Sequence, residues 1–106
     1  MTTTPGEVYL IDLGMIGKRR PAVVVSRRDP DAPRDLTLLA PMTTKPRGGR
    51  YEVEFEKPRW LPLPSVVDIQ GLRALSTHDL GHKLGTLGLP TMERIRAALR
   101  YALDLE

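Results

Sequence analysis

The run Pro21-Ala22-Val23-Val24-Val25-Ser26 indicates the fold class, because consecutive β-branched residues favour an extended strand. A continuous apolar run, in place of strict alternation, predicts a strand that is buried on both faces. Pro21 is tolerated as the first residue of such a strand. Upstream, residues 7–13 predict another strand, and residues 14–20, which include two glycines, predict the loop that joins the two.

Strand patterns continue downstream of this pair. Residues 36–42 predict a third strand, and Pro41, which cannot donate a ladder hydrogen bond, predicts that this strand lies at a sheet edge or contains a bulge. Residues 51–56 alternate apolar residues with glutamates, which predicts a strand with one buried face and one acidic, solvated face. Two more short strands are predicted over residues 65–70 and 82–87.

An amphipathic helix is predicted at the end of the chain. Pro90 suits the first helical position, where its missing N–H costs nothing. Apolar residues then recur at helical spacing, namely Met92, Ile95, Leu99, Ala102 and Leu103. Five or six short strands followed by one helix predict a mostly β fold, a small antiparallel barrel with the terminal helix packed on it.

Length and composition restrict the class of protein. With 106 residues, one domain over residues 1–106 is expected. The sequence contains no cysteine, which excludes a disulfide framework, a thiolate nucleophile and a Cys-ligated zinc site, and which fits a reducing cytoplasm. No apolar run approaches the roughly 20 residues that a bilayer requires, and the first residues do not have the pattern of a signal peptide.

The positive charge is concentrated in one third of the sequence. Residues 18–50 contain nine basic residues and three acidic ones, whereas the whole chain has a formal charge of only +3. Much of this segment is predicted to be loop, where long basic side chains can reach a polyanion and neutralise its phosphates. Taken alone, such a basic run is more often solvated loop charge, and binding of a polyanion such as a nucleic acid is the functional alternative.

Five segments in order resemble one family. They are residues 6–13 (GEVYLIDL), 19–26 (RRPAVVVS), 41–44 (PMTT), 65–75 (SVVDIQGLRAL) and 80–87 (LGHKLGTL). Together they resemble the MazF/PemK toxins of bacterial toxin–antitoxin modules. The resemblance implies an SH3-like barrel, a homodimer, and a metal-independent endoribonuclease that cuts single-stranded RNA at short sequences. It also implies a cognate antitoxin whose acidic, partly disordered tail covers the RNA groove.

The resemblance implies two catalytic residues. The family's reaction is attack of the ribose 2′-hydroxyl on the adjacent phosphate, which leaves a 2′,3′-cyclic phosphate and a 5′-hydroxyl. Arg20 matches the family's catalytic arginine, and a guanidinium is well suited to stabilise the charge of a phosphorane. Thr43 matches the family's threonine after the third strand, and its hydroxyl can donate to a phosphate oxygen.

The sequence departs from the family where carboxylates are expected. The loop over residues 14–19 contains none, and alignment on Arg73 places Gln70 at a usual acidic position and Gly71 at a usual glutamine. Gln70 cannot accept a proton, so the general base is not assigned by resemblance. Asp68 is our hypothesis for it, because residues two apart on a strand share a face.

The remaining site predictions concern binding of RNA. By resemblance Arg73 contacts phosphate or supports the groove, and Gln70 is predicted to contact RNA. Phosphate contacts are expected from the basic residues Lys18, Arg19, Lys45 and Arg47. His78 and His82, the only histidines, have a pKa range suited to proton transfer, and His78 is assigned an RNA contact. Gly81 between them argues against a helical metal motif, so no metal and no cofactor are predicted.

Two alternative functions share this fold. One is a toxin without enzymatic activity that poisons a protein such as DNA gyrase, as the related CcdB toxins do. The other is a catalytically weakened RNA-binding module. Arg20 and Thr43 favour the nuclease, whereas the missing carboxylates keep both alternatives open.

Overall fold

The computed structural model describes residues 1–14 and 18–106, which form a mostly antiparallel sheet and one C-terminal helix. The strands are β1 (Glu7–Asp12), β2 (Arg19–Val24), β3 (Leu36–Thr43), β4 (Glu52–Glu54), β5 (Val66–Asp68), β6 (Arg73–Ser76) and β7 (Lys83–Thr86), and the helix is α1 (Leu89–Ala102). Two short 3-10 helices cover Ile69–Gly71 and Thr77–Asp79. The predicted fold class is confirmed. Within the described ranges, no helix is long and apolar enough to cross a bilayer.

Strand β2 is buried on both faces, as its continuous apolar run predicts. Val23 belongs to the larger core cluster, with residues of β3, β5 and α1, whereas Ala22 and Val24 belong to a smaller cluster on the opposite face, with Ile11 and Leu39. The strand starts earlier than predicted, at Arg19, so Pro21 is its third residue and not its first. Residues 15–17 of the predicted loop lie outside the described residues.

Strand β3 is central, and the prediction that Pro41 marks a sheet edge is wrong. On one side β3 pairs with β2 through residues 39–41, and on the other it pairs first with β6 through residues 36–39 and then with β5 through residues 42–43. Pro41 lies where the strand changes from one partner to the other, so its missing N–H interrupts no ladder there. A proline is therefore accommodated in a central strand.

The region after β4 differs from the predicted pattern. The alternation of residues 51–56 forms only the short strand Glu52–Glu54, although Val53 is buried as predicted. The strand predicted over residues 65–70 ends at Asp68, and Gln70 lies in a 3-10 helix. Strand β6 was not predicted, because its four residues, Arg73 to Ser76, show no alternation of polar and apolar residues.

Helix α1 packs on the larger core cluster through Met92, Ile95 and Ala98. Leu99 and Ala102 are partly buried against the same cluster, whereas Leu103 lies beyond the end of the helix and is exposed. The predicted helix and most of its apolar stripe are therefore confirmed. The helix also contacts β4 and the first 3-10 helix, which places it beside the chain segments that carry the site.

Candidate active site

The register of the sheet brings Arg20 and Thr43 to the same end. In the β2–β3 ladder Ala22 is paired with Pro41, and continuing this antiparallel register by two residues places Arg20 opposite Thr43. Arg20 is near the start of β2, and Thr43 is the last residue of β3. Two residues 23 positions apart in the sequence are thus neighbours because their strands run in opposite directions.

A groove of about 490 Å³ is present at this end of the sheet. Seven of the ten predicted site residues line it: Lys18, Arg20, Thr43, Lys45, Arg47, Asp68 and Gln70. The other lining residues are Gly48, Tyr51 and Glu52. Four cationic side chains against two carboxylates give the groove a positive balance, which suits a phosphodiester chain.

Arg20 is half-buried at the groove wall. Across residues 1–14 and 18–106, no carboxylate lies within ion-pair distance of its guanidinium. The side chain is held at its base by the β1–β2 ladder, where Arg20 is paired with Ile11. A charged, planar donor on a rigid strand is suited to bind the oxygens of a phosphate.

The Thr43 hydroxyl accepts one hydrogen bond within the protein and still has a proton to donate. Its Oγ1 accepts a hydrogen bond of 3.1 Å from the backbone N–H of Lys45, which closes a turn at the end of β3. That contact uses a lone pair of the oxygen, so the hydroxyl proton remains available to donate. Thr43 can therefore stabilise the turn and contact an anion at the same time.

Asp68 lines the groove, but not for the reason that its sequence position suggests. Asp68 ends β5 and Gln70 follows in a 3-10 helix, so the two do not share a strand face. Instead, Asp68 Oδ1 accepts a hydrogen bond of 3.1 Å from the backbone N–H of Gln70 and caps that helix. The turn of the chain, and not strand alternation, brings Asp68 and Gln70 into one groove.

Glu52 and Tyr51 are groove residues that the sequence did not reveal. Glu52 lies opposite Asp68 in the β4–β5 ladder, and its carboxylate accepts hydrogen bonds from the backbone N–H groups of Arg47, at 3.0 Å, and Gly48, at 2.7 Å. This carboxylate therefore organises the loop that carries the basic residues. In the sequence, the alternation of glutamates indicated only a solvated acidic face, and no pattern predicted that the Glu52 carboxylate accepts hydrogen bonds from this loop.

Three predicted residues lie outside the lining of the groove. Arg19 is exposed at the start of β2, and Arg73 Nε donates to the backbone oxygen of Gly71 at 3.1 Å. His78 is exposed and its Nε2 lies 2.9 Å from Asp35 Oδ2. In the part of the chain that is described, no group of three or more His, Asp or Glu residues is arranged to hold a metal ion.

Comparison with known proteins identifies the family. The model of the family described as "PemK-like, MazF-like toxin of type II toxin-antitoxin system" matches residues 4–103. The chain belongs to this family. The resemblance found in the five sequence segments is thereby confirmed, and with it the family's fold.

Individual relatives of this family member agree with the assignment. It is 40% identical over 109 residues to "Probable endoribonuclease MazF5" of Mycobacterium tuberculosis, with 98% of this chain and 97% of the relative covered. A solved "Endoribonuclease in complex with its cognate antitoxin from Mycobacterial species" superimposes with a TM-score of 0.84 at 28% identity, covering 98% of this chain and 97% of the other. "Mycobacterium tuberculosis toxin MazF-mt6" gives 0.81 at 27% identity, covering 97% and 99%.

The relatives favour one of the three functions considered for the sequence. The curated relatives are named endoribonucleases, and none of the names supports a toxin without enzymatic activity that acts on gyrase. The prediction of a MazF/PemK toxin is therefore confirmed, and the gyrase-poison alternative is not favoured.

Proposed function

We propose that this chain, acting as one domain over residues 1–106, is a metal-independent, sequence-specific endoribonuclease toxin that cuts single-stranded RNA. The observation that carries the proposal is that Arg20, Thr43 and Asp68 line one electropositive groove. These three side chains supply a cation, a hydroxyl donor and a carboxylate, which are the groups that transesterification of RNA requires. The names of the relatives support the same activity.

Each of the three residues has a distinct role in the proposed reaction. The Asp68 carboxylate takes the proton of the ribose 2′-hydroxyl, and the 2′-oxygen then bonds to the adjacent phosphorus. Arg20 and Thr43 donate hydrogen bonds to the non-bridging oxygens, which carry more charge in the pentavalent transition state than in the substrate. The bond from phosphorus to the 5′-oxygen breaks, and that oxygen takes a proton from solvent. The products are a 2′,3′-cyclic phosphate and a 5′-hydroxyl.

The other groove residues bind RNA in this proposal. Lys18, Lys45 and Arg47 neutralise phosphates along the strand, and Gln70 contacts a base or a sugar. Arg19, Arg73 and His78 contribute more distant contacts if the strand extends past the groove. DNA would bind but resist cleavage because it lacks the attacking 2′-hydroxyl.

The proposal includes partners and a location. A cognate antitoxin with an acidic, partly disordered tail would neutralise this toxin by occupying the basic groove, since such a tail presents the same charge as RNA. The active form is a homodimer, which light scattering of the purified protein can test. The toxin acts in the cytoplasm, where its RNA substrate is located.

The experiment that tests the proposed function is cleavage of a long, mixed-sequence RNA in the presence of EDTA. The wild type should produce discrete fragments whose 5′-hydroxyl ends accept labelled phosphate from a kinase without prior dephosphorylation. Arg20→Ala and Thr43→Ala should each reduce the cleavage rate by about 100-fold or more, as loss of a transition-state donor does. Arg59→Ala is the matched control, because Arg59 is exposed and does not line the groove.

Two outcomes would contradict the proposal. Intact RNA after prolonged incubation with folded wild-type protein would remove the nuclease activity. Cleavage that survives in Arg20→Ala and Thr43→Ala at the rate of Arg59→Ala would move the reaction to another part of the molecule. Binding of RNA without cleavage would instead support the weakened RNA-binding module.

A further inference from the structure

The loop over residues 45–50 lies between two anchors. On the groove side it is held by Glu52, whose carboxylate accepts from the N–H groups of Arg47 and Gly48. Gly48 and Gly49 both have positive φ, at 83° and 96°, so the loop turns through a conformation that is natural for glycine. This loop carries Lys45 and Arg47 and therefore determines where two of the four groove cations lie.

The second anchor is Tyr101, the aromatic residue of helix α1. The Arg50 guanidinium carbon lies 3.7 Å from the centre of the Tyr101 ring, within the range of a cation–π contact. The ring of Tyr51, the residue before β4, lies 5.3 Å from the Tyr101 ring between centroids, with a tilt of 54°. Glu106 adds an exposed ion pair to Arg50 at 3.6 Å. Tyr101 thus contacts Arg50, the last residue of the loop, and Tyr51, which follows it.

Tyr101 belongs to a different cavity from the one proposed to bind RNA. It lines a space of about 430 Å³ between the loop and α1, and it does not line the groove. Gly48 and Glu52 border both cavities, so a shift of the loop changes the two together. A side chain on the terminal helix can therefore influence the groove without touching its contents.

We propose that Tyr101 is a positioning residue, which fixes the 45–50 loop through Arg50 and Tyr51 so that Lys45 and Arg47 are presented to the RNA backbone. This inference rests on the proposed function only for the identity of the ligand. Without the aromatic anchor, the loop takes several conformations, and in most of them Lys45 and Arg47 do not reach the RNA backbone. The affinity for RNA falls because phosphate contacts of these two residues are missing from the complex.

Tyr101→Leu tests this proposal because it changes neither the net charge nor the lining of the groove. The ligand is a mixed-sequence, single-stranded 2′-O-methyl RNA, which cannot be cleaved, and its binding is followed by fluorescence anisotropy. We expect the Kd to rise about two- to tenfold, as the loss of one cation–π contact and one aromatic pair allows. Tyr101→Phe keeps the ring face and should bind like the wild type.

The salt dependence of binding separates positioning from a general loss of stability. Each phosphate contact of a single strand contributes about 0.7 to the slope of log K against log salt concentration. Loss of contacts from Lys45 or Arg47 should lower the slope in Tyr101→Leu by about that amount for each contact, whereas partial unfolding reduces the active fraction and leaves the slope unchanged. The same slope in wild type and Tyr101→Leu, with equal Kd values, would overturn the proposal.

A direct measurement of loop order does not depend on RNA. Native-state trypsin cleavage after Arg47 should be faster in Tyr101→Leu than in the wild type, because cleavage follows the population of the open loop. If Tyr101→Leu does not fold, Arg50→Gln removes the cation–π contact and is measured by the same cleavage. An unchanged rate after Arg47 refutes the anchor. If the wild type neither binds nor cleaves RNA, the proposed function fails while the trypsin result still decides whether Tyr101 holds the loop.

Discussion

Replacement of Asp68 by asparagine separates the proposed general base from the capping function of the same side chain. The asparagine side chain would retain an oxygen that can accept the 3.1 Å hydrogen bond from the backbone N–H of Gln70, and asparagine is a good N-cap residue. The substitution therefore leaves the first 3-10 helix in place. It removes the negative charge of the carboxylate and with it the ability to accept a proton, because a side-chain amide is neutral and not basic.

The expected loss of activity follows from that chemistry. A positioned general base contributes about 10²- to 10⁴-fold to a reaction rate, so the single-turnover rate of Asp68→Asn should fall by a factor in this range. The Kd for an uncleavable 2′-O-methyl RNA should stay within about threefold of the wild-type value, because the substitution removes one negative charge from a groove that is already positive. The melting temperature should change by no more than a few degrees, because the cap is kept.

The assay is a single-turnover time course on a long RNA in EDTA, with Asp79→Asn as the matched control. Asp79 is an exposed carboxylate that does not line the groove, so its amide variant should cleave like the wild type. Cleavage by Asp68→Asn at the rate of the control would refute the base assignment. Glu52, the other carboxylate of the groove, would then be the next candidate, although its hydrogen bonds to the loop limit its freedom.

Three further variants probe the transition state, the acid stability and the core. Arg20→Lys should keep most of the RNA affinity yet lower the single-turnover cleavage rate by about 100-fold, because an ammonium cannot replace the planar donor fork. Burial alone would raise the pKa of Glu7, but hydrogen bonds from Lys83 and from a backbone N–H outweigh burial and lower the pKa. The stability that Glu7 adds is therefore present above its unfolded pKa and is lost as the pH falls through its folded pKa. Urea unfolding should therefore show Glu7→Gln less stable by about 1 kcal/mol at neutral pH, with the difference shrinking below about pH 4. In Gly85→Ala the new Cβ would overlap the Trp60 indole. Calorimetry should therefore show a loss of about 1–3 kcal/mol in the free energy of unfolding, and the fluorescence emission of this single tryptophan should shift. Unchanged values would mean that the ring moves aside without cost.

The sequence predicted the strands that have a strong local signal and missed those that do not. The β-branched run of β2 and the helical spacing in α1 each report burial through residue order alone, and both elements are present. Strand β6 has four residues of mixed character, so its existence depends on pairing with β3 and not on its own composition. The prediction from Pro41 was wrong for a similar reason: a central strand accommodates this proline because β3 changes its pairing partner there, and the sequence does not show which strands pair.

Family resemblance predicted Arg20 and Thr43 as site residues from the residues around them, and the sheet register accounts for their proximity. The sequence could not show which of the basic residues line the groove. Lys18, Lys45 and Arg47 line the groove, while Arg19, one residue away from Arg20, does not, because successive side chains of a strand point to opposite faces.

From the order of its residues alone, this chain was determined to be a small β domain with a terminal helix and a basic segment, and its family was recognisable, because burial periodicity and charge are local properties. Only the tertiary structure decided that Asp68 and Glu52 lie opposite each other on two short paired strands and that Tyr101 of the helix contacts the loop. Those contacts join residues far apart in sequence, and they arise from strand pairing and packing that no local pattern encodes.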